Sequence, residues 1–289
     1  MKFHTGLRSL TLVLGLACAL WAADPDVEHA RKLFNYTNYD EALKVLQGIP
    51  SKTPEIWALI GRASYFEANY KQASDALEKA VGGDPGNSDF ALWLGRAYGR
   101  RAETSSPFTA PGLASHARQM FEKAVQLNPN NIEALSDLCD YYIEAPGFLG
   151  GGMEKAEGIA ERMARINPAE GHSAHARIAE KREEYSSAED HLRRAIDAAP
   201  QQIGRFVDLA RLLYKQGRYQ EGDVSLARAD KVAPNSARLL YLKADLYIRS
   251  NRNLGEAREL LKRYLTLTLT PDDPPRTDAM RLLKKVQGA

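Results

Sequence analysis

A pattern of small, aromatic and aliphatic residues recurs along the chain with a period of about 34 residues, and this repeat constrains the fold more than any other feature. The stretch "EIWALIGRASYFEANYKQASDALEKAVGGDP" shows the unit: a first segment with a small residue, Gly61, and a second segment with Ala73, Leu77 and Ala80. The small residue recurs as Gly61, Gly95, Cys139, Ala176, Ala210 and Ala244. The units end near Pro54, Pro85, Pro129, Pro168, Pro200, Pro234 and Pro271. The pattern predicts helix–turn–helix pairs that stack, because no single pair can bury its apolar face alone.

These residues resemble the tetratricopeptide repeat (TPR), a helix–turn–helix unit of about 34 residues. Seven copies run through nearly all of the chain after residue 23. The resemblance implies an all-α fold, a right-handed α-solenoid of seven pairs over residues 24–271. Residues 272–289 are predicted to form a C-terminal capping helix, since Ala279, Leu282, Leu283 and Val286 make one apolar stripe.

Residues 1–23 have the pattern of a secretory signal peptide. Lys2 and Arg8 precede the apolar run "LTLVLGLACALWAA", which ends in small residues. The run is short for a membrane span, and Asp24 follows it directly. We therefore expect an exported protein, periplasmic or extracellular, with no integral membrane span after cleavage. Cys18 leaves a lipidated, membrane-associated form as an alternative.

The charge balance argues against a nucleic-acid partner. The whole chain has 39 basic and 37 acidic residues, and loss of Lys2 and Arg8 with the signal peptide would make the two numbers equal. A neutral chain has no overall field that attracts polyanions. Cys139 would then be the single cysteine, and its place on an apolar helix face favours a small core residue over a catalytic thiol.

Two of the repeats are longer than the others. The intervals between successive prolines from Pro54 to Pro234 are 31, 44, 39, 32 and 34 residues. Both excesses fall between the two helices of a pair, in "ETSSPFTAPG" (103–112) and "APGFLGGG" (145–152), so both turns should emerge on one edge of the solenoid. Inserted turns of repeat proteins often form a binding face. The candidate contact residues of this loop edge are Phe108, Phe148, Gly150, Gly151 and Gly152.

The glycine-rich turn is not a P-loop, because Met153 and Glu154 stand where that motif needs Lys and Ser or Thr. Two interpretations remain open. The free N–H groups at the start of the next helix could hold a carboxylate or a phosphate. Alternatively, the glycines let the turn pack closely against the neighbouring insertion, which is the interpretation we favour.

In the TPR family, the first helix of each pair lines a concave groove that commonly binds extended peptides. One groove position directly follows the small residue, and here it is occupied by Arg62, Arg96, Asp140, Arg177, Arg211 and Asp245. Three tyrosines fall at other groove positions: Tyr65, Tyr214 and Tyr241. Four arginines in a neutral chain predict a ladder that binds a carboxylate-bearing protein or peptide segment. The alternative is a set of internal ion pairs between adjacent repeats, with Asp140, Glu170 and Asp245 as candidate partners.

The sequence contains no recognisable catalytic or metal-binding constellation. His172 and His175 are the best metal candidates, but both fall at core positions and no third ligand lies at a suitable spacing. The chain has neither a Gly-x-Ser-x-Gly elbow nor a His-Glu-x-x-His motif. We therefore predict a non-catalytic protein-binding scaffold or adaptor of the cell envelope, without a cofactor or a metal.

A second resemblance concerns the inserted turns together with the stretch "GHSAHARIAE". This combination is similar to a group of exported bacterial TPR proteins that includes periplasmic accessories of solute transporters. It implies an alternative function, the binding of a small solute beside an envelope transporter. No ligand-binding residue of this chain follows from that resemblance, and the sequence does not predict an oligomeric state.

Overall fold

The computed structural model describes residues 25–286, and within that range it contains fifteen α-helices, one 3-10 turn and no strand. The first fourteen helices form seven consecutive pairs: α1 (Pro25–Asn35) and α2 (Tyr39–Gly48), α3 (Pro54–Phe66) and α4 (Tyr70–Gly83), α5 (Ser88–Thr104) and α6 (Ala110–Leu127), α7 (Ile132–Glu144) and α8 (Met153–Ile166), α9 (Pro168–Lys181) and α10 (Tyr185–Ala198), α11 (Ile203–Lys215) and α12 (Tyr219–Val232), and α13 (Ala237–Arg249) and α14 (Leu254–Thr266). A last helix, α15 (Arg276–Lys285), follows them, and the 3-10 turn (Gly147–Leu149) connects α7 to α8. The predicted all-α solenoid of seven pairs with a C-terminal helix is confirmed.

Two sequence predictions fall outside this range. The signal peptide assigned to residues 1–23 and the lipidation alternative at Cys18 both concern residues that the structure does not describe. Among the helices of residues 25–286, none combines the length and the apolar character needed to cross a bilayer.

Prolines mark the boundaries between pairs in two different ways. Four of them lie in the turns that separate one pair from the next: Pro85, Pro129, Pro200 and Pro234. Pro54 and Pro168 are instead the first residues of α3 and α9. A proline is tolerated at this position because its missing N–H would have no partner inside the helix. These two prolines therefore begin a pair, whereas the sequence pattern placed them at the end of one.

The two helices of a pair approach most closely at the predicted small residue. A Cβ atom on Gly61 would lie 2.4 Å from Cγ of Leu77, and one on Gly95 would lie 2.6 Å from the ring of Phe121. The equivalent residues of the next four pairs are all buried: Cys139, Ala176, Ala210 and Ala244. A larger side chain at these positions would push the paired helices apart.

Helix α15 covers the apolar surface of the last pair. Its residues Ala279, Leu282 and Val286 are buried in the hydrophobic cluster that extends from α9 to the end of the described chain. Leu283 packs against the same cluster and is only partly buried. Without α15 this surface would face water, which is why solenoids need a terminal cap.

The same helix also meets the beginning of the solenoid. The hydroxyl of Thr277 donates a hydrogen bond of 3.3 Å to the carbonyl oxygen of Phe66, the last residue of α3. Beside this contact, Asp278 and Arg281 of α15 line a cavity of about 270 Å³ together with Tyr70 of α4. The solenoid therefore curves far enough for its last helix to touch its second pair, and we call this contact the seam.

The first helices of the pairs lie on the inner side of the curve. First helices of neighbouring pairs pack directly against each other, as α7 does against α9 and α11 against α13. Within residues 25–286, second helices of neighbouring pairs make no contact of that extent. The concave face is consequently built from the first helices, as the sequence predicts.

Candidate functional site

The six predicted groove positions all lie on first helices and are all half-buried: Arg62 on α3, Arg96 on α5, Asp140 on α7, Arg177 on α9, Arg211 on α11 and Asp245 on α13. The concave face thus brings them into one row. Their side chains, however, are engaged with neighbouring helices.

Three of the four groove arginines form ion pairs with the first helix of an adjacent pair. Arg96 contacts Asp137 on α7, with 2.5 Å between Nε and Oδ2. Arg177 contacts Asp140, also on α7, with 2.6 Å between Nε and Oδ1. Arg211 binds the carboxylate of a residue on α9, Glu180, through two hydrogen bonds of 2.9 Å each. The internal ion pairs that the sequence left as an alternative are therefore present.

Arg62 is held differently. Its guanidinium lies over two aromatic rings, 5.2 Å from the ring centre of Phe34 and 4.7 Å from that of Trp93. Burial lowers the pKa of this guanidinium, and its Nε atom is buried without a hydrogen-bond partner. Stacking on aromatic faces offsets part of that desolvation.

These contacts change the interpretation of the arginine ladder. A carboxylate from a partner would have to displace Asp137, Asp140 or Glu180 to reach a guanidinium. The remaining candidate pairs are also internal, since Glu170 on α9 binds an arginine of α11 and Asp245 binds Arg249 on its own helix, at 2.6 Å. The described groove therefore does not offer a row of unpaired arginines to a carboxylate-bearing segment.

The three predicted groove tyrosines occupy different environments. Tyr65 is half-buried and lines cavities on the concave face. Tyr241 is half-buried, and its ring centre lies 5.6 Å from that of Tyr264. Tyr214 does not reach the groove, because it is 95% buried between α11 and α12 and its hydroxyl donates to Asp223.

The position of Tyr214 has a simple physical reason. Gly222 on α12 leaves space for the tyrosine ring, and a Cβ atom there would lie only 2.4 Å from that ring. The ring therefore turns into the pair, away from the concave face. A glycine at the alanine position of the second helix is the sequence signal that predicts this orientation.

Four carboxylates form a stripe along α7 that the sequence analysis missed. They follow each other at helical spacing: Glu133, Asp137, Asp140 and Glu144. Arg96 pairs with the first two, Arg177 with the third, and Lys181 with the fourth, at 2.7 Å. We call these four residues the acidic stripe. Burial raises the pKa of Asp137 and Asp140, although their arginine partners oppose the effect.

Two adjoining cavities lie on the concave face. The first, about 450 Å³, lies between α5, α6 and α7, and we call it the interhelical cavity. Its apolar lining includes Gly99, Ala102, Ala117, Phe121 and Tyr141. The second, about 700 Å³, lies along α7, α9 and α11, and we call it the charged cavity. Its lining includes Arg177, Glu180, Lys181, Arg211 and Lys215.

The inserted turns stand beside the interhelical cavity. Helices α5 and α6 have 17 and 18 residues, against 13 and 14 in α3 and α4, so much of the first insertion has become helix. The second insertion forms the 3-10 turn, which packs against α6. Phe108 and Phe148, at the tips of the two turns, are 96% and 83% exposed.

The backbone N–H groups of the glycine-rich turn are used within the turn. Gly150 donates to the carbonyl of Gly147 at 2.9 Å, and Gly152 donates to that of Tyr142 at 2.9 Å. Gly151 donates a longer bond, 3.3 Å, to the carbonyl of Pro146. These three N–H groups are therefore not free to bind an anion, and anion binding by the first N–H groups of α8 itself stays a prediction.

Close packing explains the glycines instead. A Cβ atom on Gly151 would lie 1.8 Å from the carbonyl oxygen of Ala145, a distance that no side chain tolerates. Gly150 adopts a left-handed conformation, with φ of 90°, and a Cβ there would lie 2.8 Å from Nε of Arg118 on α6. The favoured interpretation, a turn that packs against the neighbouring insertion, matches this geometry.

Comparisons with known proteins agree on the fold. Residues 179–246 match the family described as tetratricopeptide repeat. Residues 25–286 form a TPR solenoid. The crystal structure of a TPR protein from Parabacteroides merdae is 15% identical, covers 91% of this chain and 98% of its own, and has a TM-score of 0.55. That of a thermophilic TPR protein from Thermus thermophilus is 19% identical, covers 65% of this chain and 97% of its own, and has a TM-score of 0.54. The comparison with curated proteins found no match.

A histidine cluster lies away from the groove of this TPR solenoid. The Nδ1 atoms of His172 and His191 are 3.2 Å apart, and the ring of His175 stacks on that of His191 at 5.2 Å. Oε2 of Glu157 lies 3.2 Å from Nδ1 of His175. Burial lowers the pKa of both His172 and His191, and neighbouring cations add to the effect. Among the residues that the structure describes, no group of three or more His, Cys, Asp or Glu side chains is arranged to hold a metal ion.

Cys139 sits inside the TPR core. Its side chain is buried, and its Sγ atom lies 3.6 Å from the carbonyl oxygen of Ala156 on the paired helix. Burial raises the pKa of the thiol to about 11, so it stays protonated at neutral pH. A buried, protonated thiol is a poor nucleophile.

Proposed function

We propose that this TPR solenoid is a non-catalytic scaffold that binds an extended protein segment along its concave face, in the cell envelope after export. The observation that carries this proposal is the continuity of two cavities. The interhelical cavity and the charged cavity share Asp140 and Glu144 in their linings. Together they make one groove that runs across α5, α7, α9 and α11.

The dimensions of the groove suit a short extended segment. Each cavity falls within the range of about 300–1,000 Å³ that is usual for binding pockets. Packed helices lie about 9 Å apart, so three spacings from α5 to α11 span roughly 27 Å. An extended chain rises about 3.3 Å per residue, so roughly eight residues would cover this distance.

Export to the envelope rests on residues 1–23. Fractionation of cells that produce the full chain with a C-terminal tag tests it, and the same chain with the apolar run interrupted by arginines is the control. We expect the tagged chain outside the cytoplasm and the control inside it. Equal distribution of both would contradict export.

Binding in the groove is tested best by filling the interhelical cavity. Reversing the groove arginines would break ion pairs that join the repeats, and lost binding would then have two explanations. Gly99 lines the cavity, and nothing lies within 4 Å of the position that its Cβ would take. Gly99→Trp therefore adds an indole at the cavity from a position where its Cβ meets no neighbour. The matched control is Gly158→Trp, on the exposed side of α8, where the added Cβ also meets open space.

The measurement is a quantitative pull-down from envelope extract with the wild type and both variants as baits. We expect partners that the wild type and Gly158→Trp capture and that Gly99→Trp loses. Partners captured equally by all three baits would locate binding outside the groove. Circular dichroism of the three proteins should agree, because both substitutions replace a helical glycine.

A further inference from the structure

We infer that the segment bound in the groove places an apolar side chain in the interhelical cavity and a neighbouring basic side chain against the acidic stripe. This inference rests on the proposed function and adds the chemistry of the partner to it. Its evidence comes from the lining of the cavity, from the inserted turns beside it and from the charges on α7.

One wall of the cavity is apolar because it is built from small residues, whereas Arg96, Asp137 and Asp140 are among the charged residues of its lining. Gly99 and Ala102 on α5 and Ala114 and Ala117 on α6 line this wall, and none of them has a side chain longer than a methyl group. Phe121 adds an aromatic surface from within the same pair. A polar group against this apolar wall would lose water without gaining a partner there. The cavity is suited to a leucine-sized or phenylalanine-sized side chain.

The two inserted turns present further apolar surface next to this space. Phe148 lies between Pro146 and Leu149, which line the cavity, and Phe108 stands at the tip of the other turn. The second turn is fixed by a hydrogen bond of 2.9 Å from the hydroxyl of Tyr141 to the carbonyl oxygen of Leu149. Large apolar side chains exposed on a fixed turn mark contact surfaces, because little conformational entropy is lost when a partner covers them.

The negative charge of α7 favours a basic residue as the neighbour of the apolar residue in the bound segment. The acidic stripe has four carboxylates, and three cations pair with it: Arg96, Arg177 and Lys181. One negative charge of the stripe is therefore left without a cation of its own. This excess of carboxylates would attract an incoming ammonium or guanidinium group, which would also favour the charged forms of Asp137 and Asp140 that burial disfavours.

The position of Glu144 predicts the order of the apolar and the basic side chain along the bound segment. It lines both cavities, as Asp140 does, so a chain that leaves the interhelical cavity passes these carboxylates before it enters the charged cavity. The ion pair between Glu144 and Lys181 is exposed, with 68% and 41% of the two side chains accessible. An exposed pair exchanges its partner readily, since water and salt screen it.

The probe for this inference is a phage-displayed library of random 12-residue peptides, selected on the immobilised full chain. We expect an enriched pattern of an aliphatic or aromatic residue with Lys or Arg a few positions away. A synthetic peptide of that sequence, labelled with fluorescein, then serves for anisotropy measurements against the wild type, Gly99→Trp, Glu144→Gln and Gly158→Trp.

The variants separate the two parts of the inference. Gly99→Trp should lower the affinity for the labelled peptide at least tenfold, whereas Gly158→Trp should leave that affinity within twofold of the wild type. Glu144→Gln should lower the affinity for the basic peptide about threefold to tenfold. It should leave the affinity for a Lys-to-Ser version of the same peptide unchanged. Raising the salt concentration should reduce the affinity of the first peptide more than that of the second.

Failure of the inference and failure of the proposed function give different results. Enriched peptides that are acidic, or that bind Gly99→Trp as well as the wild type, would overturn the inference and leave a protein-binding scaffold in place. If no peptide is enriched and no partner is captured from extract, the proposed function itself is overturned.

Discussion

Thr277 and Phe66 are 211 residues apart in the chain, and the hydroxyl of Thr277 donates a hydrogen bond to the carbonyl oxygen of Phe66 at 3.3 Å. In an open solenoid each repeat contacts its neighbours alone, so stability is a sum of local terms. The seam adds a contact between α15 and the end of α3. The first and last parts of this array can therefore stabilise each other directly.

A bulky cation at the seam should separate α15 from the second pair of helices. Thr277→Arg places a guanidinium beside Phe66 and close to two other arginines of the seam cavity, Arg100 and Arg281, so steric crowding and like charge both oppose closure. We expect a larger maximum dimension in small-angle X-ray scattering, with unchanged helicity. Thr266→Arg is the control, because Thr266 is exposed at the end of α14 and takes no part in the seam. Scattering curves that coincide for both variants would show that the seam does not hold in solution.

Gly151 and Gly147 of the glycine-rich turn allow a matched pair of substitutions with the same chemical change and different surroundings. Gly151→Ala should destabilise the fold by about 1–3 kcal/mol, because its methyl group would collide with the carbonyl of Ala145 and the turn would have to rearrange. Gly147→Ala, in the same turn, should change the free energy of unfolding by less than about 0.5 kcal/mol, since nothing lies within 4 Å of its Cβ position. Urea denaturation measures both. Equal effects would mean that the turn relaxes freely.

The ion pairs between first helices should contribute measurably to stability. In a double-mutant cycle with Arg211→Gln and Glu180→Gln, we expect a coupling energy of about 1 kcal/mol, because Glu180 is only 14% exposed and the contact is bidentate. The pair of Lys44 and Asp40 is the control, with 75% and 64% of the side chains exposed. Its coupling should be about 0–0.5 kcal/mol and should vanish in high salt. Similar couplings for both pairs would contradict a structural role of the groove arginines.

The histidine cluster should make stability depend on pH in mildly acidic solution. The pKa values of His172 and His191 are lowered in the folded chain, whereas in the unfolded chain they return towards about 6.5. Between the lowered and the ordinary value the unfolded chain binds more protons, so the free energy of unfolding falls as the pH drops through about 6.5. Urea denaturation at a series of pH values between 7.5 and 5 measures this effect.

Two comparisons isolate the cluster. His191→Gln should flatten the pH dependence, whereas His29→Gln, which removes an exposed imidazole of α1, should leave it as in the wild type. The carboxylates of Glu180 and Glu189, whose pKa values are lowered by their cationic partners, lose their contribution only as the pH falls below about 4.5. A wild-type slope in His191→Gln would exclude the cluster as its source.

The helix pairs could be predicted from the sequence because their determinants are local. Gly61 and Gly95 mark close approach within a pair, and the partner residues Leu77 and Phe121 lie in the recurring apolar pattern of the second helix. The contact partners of the charged side chains could not be predicted in the same way. Arg96 meets a carboxylate 41 residues further along the chain, so its partner depends on the angle between successive pairs.

The seam was even harder to predict from the sequence. It depends on the curvature summed over all the intervening pairs, and a small change in each would separate Thr277 from Phe66. The orientation of Tyr214 was predicted wrongly for a more local reason, since one glycine on the partner helix, Gly222, decides which way the ring turns. Predicting the direction of a side chain at a known helix position thus still requires knowing which residue packs against it.

Successive TPR pairs have similar apolar faces, so a folding chain could dock a pair against the wrong neighbour and remain well packed. The acidic stripe of α7 works against that error. It receives Arg96 from one side and Arg177 from the other, so an arrangement that skipped α7 would bring these two cations face to face. Such like-charge contacts oppose misassembly. The order of the central repeats is thereby specified by charge as well as by chain connectivity.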